Sequence, residues 1–425
     1  TTDQISALRT TQVQALPTLG LTAMGTDQIV AFSSDQIASF TGNHIRVLTT
    51  DQMHAFTTDQ MPGFETRDLV VLSANQLNAT SSDQIDALTT GQVEVLTASQ
   101  VRALTTTEVA ALTTGQVTAL TATQVAAMET ADMVAMSTDQ VSALNTTQVS
   151  ALTAGMVTAL STEQVVALGT TNVTALTATQ VRALSTASVA ALGTDQVSVL
   201  TTTQVNALTA TAIGALSTDQ VGALTTDQVK SLTTANIIAL STAQVATLST
   251  TQVAALSSTQ LDLLSQEQVQ ALTSAQIASV PTATLVALST TQVASLTSGQ
   301  ITALGTAQTA SMLTTQIQSV TTEALAGLEI LDLQAMSTDQ VRAFTNDQLQ
   351  ALSTAQVHAF KTDQLAALTT TQVASLTSLQ IAALSTTQVA AFGTAQIAAM
   401  TNDELAGLNT ADIAGLSSAQ LAALS

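Results

Sequence analysis

Large aliphatic side chains recur at two fixed places in every eight residues, and the frame never slips. Cut from Thr1, the chain reads TTDQISAL, RTTQVQAL, PTLGLTAM and onward to SSAQLAAL, 53 octapeptides followed by Ser425 with no insertion or deletion. The consensus is (S/T)-T-x-Q-(V/I/L)-x-A-L. Position 5 is Val, Ile, Leu or Met in 52 of the 53 units and position 8 is Leu, Met, Phe or Val in 52. All seven Phe (Phe32, Phe40, Phe56, Phe64, Phe344, Phe360, Phe392) fall at position 8. Positions 5 and 8 therefore read as the core, and position 7, nearly always small, as a place of close approach. Positions 3 and 6 vary as solvent positions do. The exceptions Thr80 (position 8) and Thr309 (position 5) read as weak points.

An uninterrupted α-helix cannot use this pattern. At 3.6 residues per turn an eight-residue repeat advances by about 80°, so the apolar stripe would wind around the helix. A helix that restarts in every unit fits the residue chemistry. Ser or Thr stands at position 1 in 38 units and Gln at position 4 in 38, the spacing at which a cap hydroxyl accepts from the N3 amide while the N3 side chain reaches back. Position 8 of the preceding unit and position 5 then form the hydrophobic staple. Acids gather at position 3 (Asp3, Asp27, Asp35, Asp51 and others), whereas five of the eight cations lie at position 6 (Arg46, Arg102, Arg182, Lys230, Arg342), as the macrodipole favours. The pattern predicts an all-α solenoid of very short capped helices, one per octapeptide, each about seven residues long and separated by a one-residue corner. The alternative is a β-solenoid, since Val, Ile and Thr favour strands. Strict alternation, however, would put Gln, a variable residue and the Leu of position 8 on one face. Pro62 marks a distorted unit under either reading.

A single unit buries too little apolar surface to offset its ordering entropy, so stability must come from stacking. Residues 1–425 read as one continuous array, part of a longer one. Composition narrows the function by exclusion. The chain has no Cys, Trp or Tyr, which removes disulfide scaffolds, thiolate metal sites and an aromatic-rich core. A net charge of −21 disfavours nucleic acid, and polar Thr and Gln interrupt every unit, which argues against membrane insertion. No catalytic, cofactor-binding or metal-ligating residue emerges: His44, His54 and His358 are scattered and read as surface residues, and no calcium loop or nucleophile elbow accompanies the many Asp, Ser and Thr.

Apolar residues at polar positions are more informative. Leu19, Leu313, Ile330, Leu331 and Leu379 occupy positions 1 to 3, and Ile330, Leu331 and Leu313 are candidate self-association residues. Runs such as LTTTQVAALTTGQVTALTATQVAAM and LSTTQVAAFGTAQIAAM resemble repeat stretches of large secreted or surface proteins of Gram-negative bacteria of the adhesin or fibre type. That resemblance implies an extracellular or cell-surface setting. The expected function is a non-enzymatic rod or filament, as a surface fibre, biofilm-matrix fibre or adhesin stalk, with itself as main partner. The alternative is a binding scaffold that recognises a glycan, ion or protein through positions 3 and 6.

Overall fold

The structure is a computed structural model that describes residues 1–424. Over that range the chain forms 51 short α-helices and two 3-10 segments, one element per octapeptide and no strand. The unit 113–120 shows why. Leu112 (φ −56°, ψ 132°) and Thr113 (φ −67°, ψ 158°) are both extended. Two successive extended residues turn the chain and stop each helix from running into the next. The Thr113 N–H donates to Gln116 Oε1 at 2.7 Å and the Gln116 N–H donates to Thr113 Oγ1 at 3.2 Å. This reciprocal box satisfies two of the amides that a helix start leaves free. The helix Thr114–Ala119 then runs for six residues, and Leu120 closes it by donating to Val117 O. Helices elsewhere are four to seven residues long, mostly five or six. They are therefore shorter than the seven-residue expectation, because the corner takes two residues and not one.

The box survives partial loss of its parts. Where position 1 is Arg9, Gly25, Leu313 or Lys361, the Gln three residues later still accepts from the backbone N–H at 2.8–3.0 Å. Pro62 has the disrupting effect expected of it: unit 57–64 is reduced to a 3-10 turn, Met61–Gly63. Among the described residues Gly169 is the one of positive φ (69°). It lies directly after Leu168 in helical conformation (φ −56°, ψ −29°), so the corner there is made by a left-handed glycine in place of the extended pair.

The contacts divide the chain into two compact units, 1–216 and 217–425. In the first, the helix Ala98–Ala103 packs on Ala122–Ala127 and Thr90–Val95 on Thr114–Ala119. In the second, Ser274–Ser279 packs on Ser298–Ala303 and Thr218–Gly222 on Thr242–Thr247. Each helix thus rests on the one three octapeptides away, while side chains also reach back four. A turn of the coil takes between three and four octapeptides in each unit.

Positions 5 and 8 form the core: Val117, Ile213, Ile301 and Leu365 are fully buried and the position-8 residues nearly so. The few aromatics pair along that row, Phe32 with Phe40 and Phe56 with Phe64 edge to face at centroid distances of 5.3 and 5.0 Å, a favourable geometry for their quadrupoles. Thr309 fills a position-5 site at 0% exposure, and its Oγ1 has no hydrogen-bond partner. Its cost is that of a desolvated hydroxyl. Thr309→Val keeps the shape and removes the orphan, so it should stabilise the second unit by about 1–2 kcal/mol, read from the denaturant midpoint. An unchanged midpoint would mean that the hydroxyl finds a partner in solution.

Candidate functional site

The most distinctive polar arrangement is the side chain at position 4. Sequence reasoning assigned it one bond, the box, and the structure gives it more. Gln116 Nε2 donates to Ile85 O at 2.9 Å and Leu88 O at 2.7 Å, while Gln124 Nε2 donates to Val93 O at 2.9 Å and Leu96 O at 2.7 Å. In the second unit Gln300 reaches Val269 O and Leu272 O, and Gln348 reaches Ile317 O and Val320 O, at 2.7–2.9 Å. The acceptors are mostly positions 5 and 8 of the octapeptide four back, with position 6 serving as well for Gln252, Gln372 and Gln196, carbonyls that a helix end leaves free. One amide therefore begins its own helix with its oxygen and caps an earlier one with its nitrogen. These glutamines are buried, Gln116 and Gln300 at 2% exposure.

His44 stands in the same slot and performs the same task. Its Nδ1 accepts from the Thr41 N–H at 3.2 Å and its Nε2 lies 2.8 Å from Leu16 O, so in this tautomer Nε2 carries the proton. At 3% exposure it is not the surface residue its scatter in the sequence implied. His54 and His358 are at the outward position 6 and bond the carbonyls of Ala79 and Ala383, three octapeptides on. Thr118 and Thr158 use their hydroxyls in the same way.

Acids at position 4 behave differently. Glu108 accepts from the Thr105 N–H and hydroxyl but has no proton to give to the earlier turn. There the exception at Thr80 finds its reason. Its hydroxyl donates to Leu77 O at 2.6 Å, the carbonyl that a Gln at position 108 would take. Thr80 is thus a compensation and not the weak point expected. Thr80→Leu alone should cost about 1–2 kcal/mol, whereas with Glu108→Gln most of that loss should return. A double-mutant cycle with no coupling would break the link.

The shorter aspartates turn toward the octapeptide three back. Thr386 Oγ1 donates to Asp412 Oδ1 at 3.0 Å and the Asn409 N–H to Oδ2 at 3.1 Å. Asp68 has Gly42 at the place of that hydroxyl, and its Oδ2 is buried without a partner, as is Asp332 Oδ2. Burial pushes the carboxyls of Asp68, Asp132 and Asp332 above the ordinary value of 3.8 because the charged form is the one desolvated.

The candidate self-association residues are exposed: Leu331 at 65%, Leu313 at 52% and Ile330 at 48%. Ile330 and Leu331 line a shallow groove with Ala326, Leu328, Glu329 and Ala351, and Leu313 is not part of it. Leu19 and Leu379 are exposed as well. Among the described residues no group of three or more His, Cys, Asp or Glu is placed to hold a metal ion, and no helix is long and apolar enough to cross a membrane.

A family model described as the ALTTAQ repeat matches this chain eight times, at residues 61–98, 125–162, 179–210, 206–234, 230–258, 325–362, 346–378 and 375–402, together more than half of its length. No curated protein matches the chain.

Proposed function

The chain belongs to the ALTTAQ repeat family, and we propose that it is a non-enzymatic structural protein of the bacterial exterior, assembling through self-association into a surface or matrix fibre. One observation carries this reading: its regularly repeated buried polar side chain, the position-4 amide, is consumed in holding successive turns together. A catalytic site needs convergent polar groups with free valences facing substrate, and here the repeated polar group faces backbone. Outward positions 3 and 6 are variable, and the apolar exceptions Ile330 and Leu331 lie on the surface. An exposed apolar pair on an otherwise polar array is the kind of patch through which copies adhere. Freedom from Cys makes such a fibre indifferent to redox conditions.

Electron microscopy and sedimentation of the purified full chain over rising concentration test the proposal. Filaments or higher oligomers are expected, and Ile330→Asp with Leu331→Asp should reduce them. Dispersed monomers at the highest concentration would reject the fibre. A second reading, a scaffold whose exposed positions 3 and 6 recognise a glycan or protein, would then take its place and would show as saturable binding on a glycan array.

A further inference from the structure

Four aspartates occupy slots that elsewhere hold an amide donor; Asp412 has the Thr386 hydroxyl and the Asn409 N–H, and the other three are Asp68, Asp132 and Asp332. By the register of the repeat, the carbonyls facing position 4 are those of Ile37 and Phe40 for Asp68, Val101 and Leu104 for Asp132, and Ile301 and Leu304 for Asp332. The glutamines of neighbouring units donate to the corresponding atoms, as Gln60 does to Ile29 O and Phe32 O and Gln140 to Val109 O and Leu112 O. An ionised aspartate accepts only. All three are 1–2% exposed, and one oxygen of Asp68 and one of Asp332 have no partner. Asp132 Oδ2 accepts from the Glu129 N–H at 2.8 Å and Asp68 Oδ1 lies 3.9 Å from Arg67 Nε, yet an ionised carboxylate has no proton for the carbonyls of the earlier turn, and a single proton neutralises the desolvated charge.

We propose that the turns seated on Asp68, Asp132 and Asp332 are proton-sensitive joints, which tighten on acidification because the neutral carboxyl sheds its desolvated charge. The neighbours do not cancel the effect. Asp68 shares its surroundings with Glu65, Arg67 and His44, and Arg46 and Glu94 lie on the helices packed against it. Asp132 has Glu129 beside it and Glu108 on the helix beneath. Asp332 has Glu329 and the Thr306 hydroxyl, with His358 on the helix above. Desolvation is the largest influence on each of the three.

The sign follows from linkage. The native state holds these protons more tightly than the unfolded chain, so stability falls as pH rises from 3.8 through the raised native values and recovers on acidification. Glu163 and Glu267, exposed and shifted below 4.5 by hydrogen bonds, act in the opposite sense, and only below that value.

Thermal melting of the full chain from about pH 7 down to about pH 4, just above the ordinary carboxyl value, tests the joints, with D68N/D132N/D332N beside a control that removes three exposed acids, D139N/D219N/D347N. The wild type should melt a few degrees higher at the acid end. The buried triple variant should melt a few degrees higher than wild type at neutral pH and lose much of the pH dependence, and the control should do neither. Amide exchange at residues 129–132 and 329–332 gives a local readout, with protection expected to rise on acidification in the wild type alone. A buried triple variant that melts at or below wild type at neutral pH, or a control that reproduces its behaviour, would overturn the proposal. So would stabilisation at neutral pH by added sodium or calcium that the buried triple variant loses, since a cation would then occupy the slot.

Discussion

Replacing Gln116, Gln124 and Gln140 together by Glu is expected to unfold the turns around them at neutral pH. Each side chain keeps its length and its oxygen for the box, so the helix starts remain capped. What disappears is the Nε2 donor, leaving two carbonyls 2.6–3.0 Å away facing an anion. Loss of the hydrogen bonds together with an uncompensated buried charge costs about 3 kcal/mol per slot. Three slots approach the whole stability of a typical domain. Gln→Met at the same sites should cost roughly half as much, because Met156 shows the slot accepting an apolar chain of similar length at 1% exposure. The two series also differ in pH response: acidification should restore the Glu variant and leave the Met variant unchanged. Circular dichroism at 222 nm during urea unfolding reads both. Glu and Met variants of equal stability would mean that the box oxygen, and not the amide nitrogen, is the part that matters.

Much of this was legible in the sequence. The octapeptide frame, the capping box, the core at positions 5 and 8, the damage at Pro62 and the exposure of Ile330 and Leu331 all follow from local chemistry. The second bond of Gln did not, because it joins residues 28 and 31 apart and depends on the pitch of the coil, which no single unit encodes. A signal was nonetheless present. Glu serves a capping box as well as Gln and suits the positive end of the helix better, yet position 4 holds 38 Gln and only Glu108 and Glu404. Such a preference for the neutral amide has a reason only if its N–H groups are used. The same insight explains Thr80 and His44, two residues that look anomalous unit by unit and become ordinary once the turn four octapeptides away is considered. The length of the corner was misjudged for a local reason: Leu at position 8 is a good helix former, but its backbone is extended in most units because the next residue must begin a cap.

Gly327→Ala should be among the most damaging single substitutions in the second unit, and Gly63→Ala in the first. Both glycines are at position 7 and meet position 2 of the octapeptide three back. A Cβ on Gly63 would lie 2.7 Å from Ser34 O and 2.9 Å from Ser34 Cα, and one on Gly327 would collide with Ser298 O. These are backbone atoms held by their own helices, so neither side can give way cheaply. Both units have 3-10 geometry, Met61–Gly63 and Ala324–Gly327, and the tighter winding brings position 7 against the neighbouring turn; Gly407, beyond the short helix Asn402–Leu405, meets Ser378 O in the same way. Overpacking of this kind costs about 3 kcal/mol or more. Gly91 supplies the opposite case: it is exposed in the helix Thr90–Val95 with nothing near its missing Cβ, so Gly91→Ala should stabilise by about 0.5–1 kcal/mol. Amide exchange would show the damage spreading from Gly327 to the turn at Ser298 and leave distant turns protected, as expected of a stack in which each turn depends on its neighbours. A uniform loss of protection along the unit would instead make the whole unit one cooperative block.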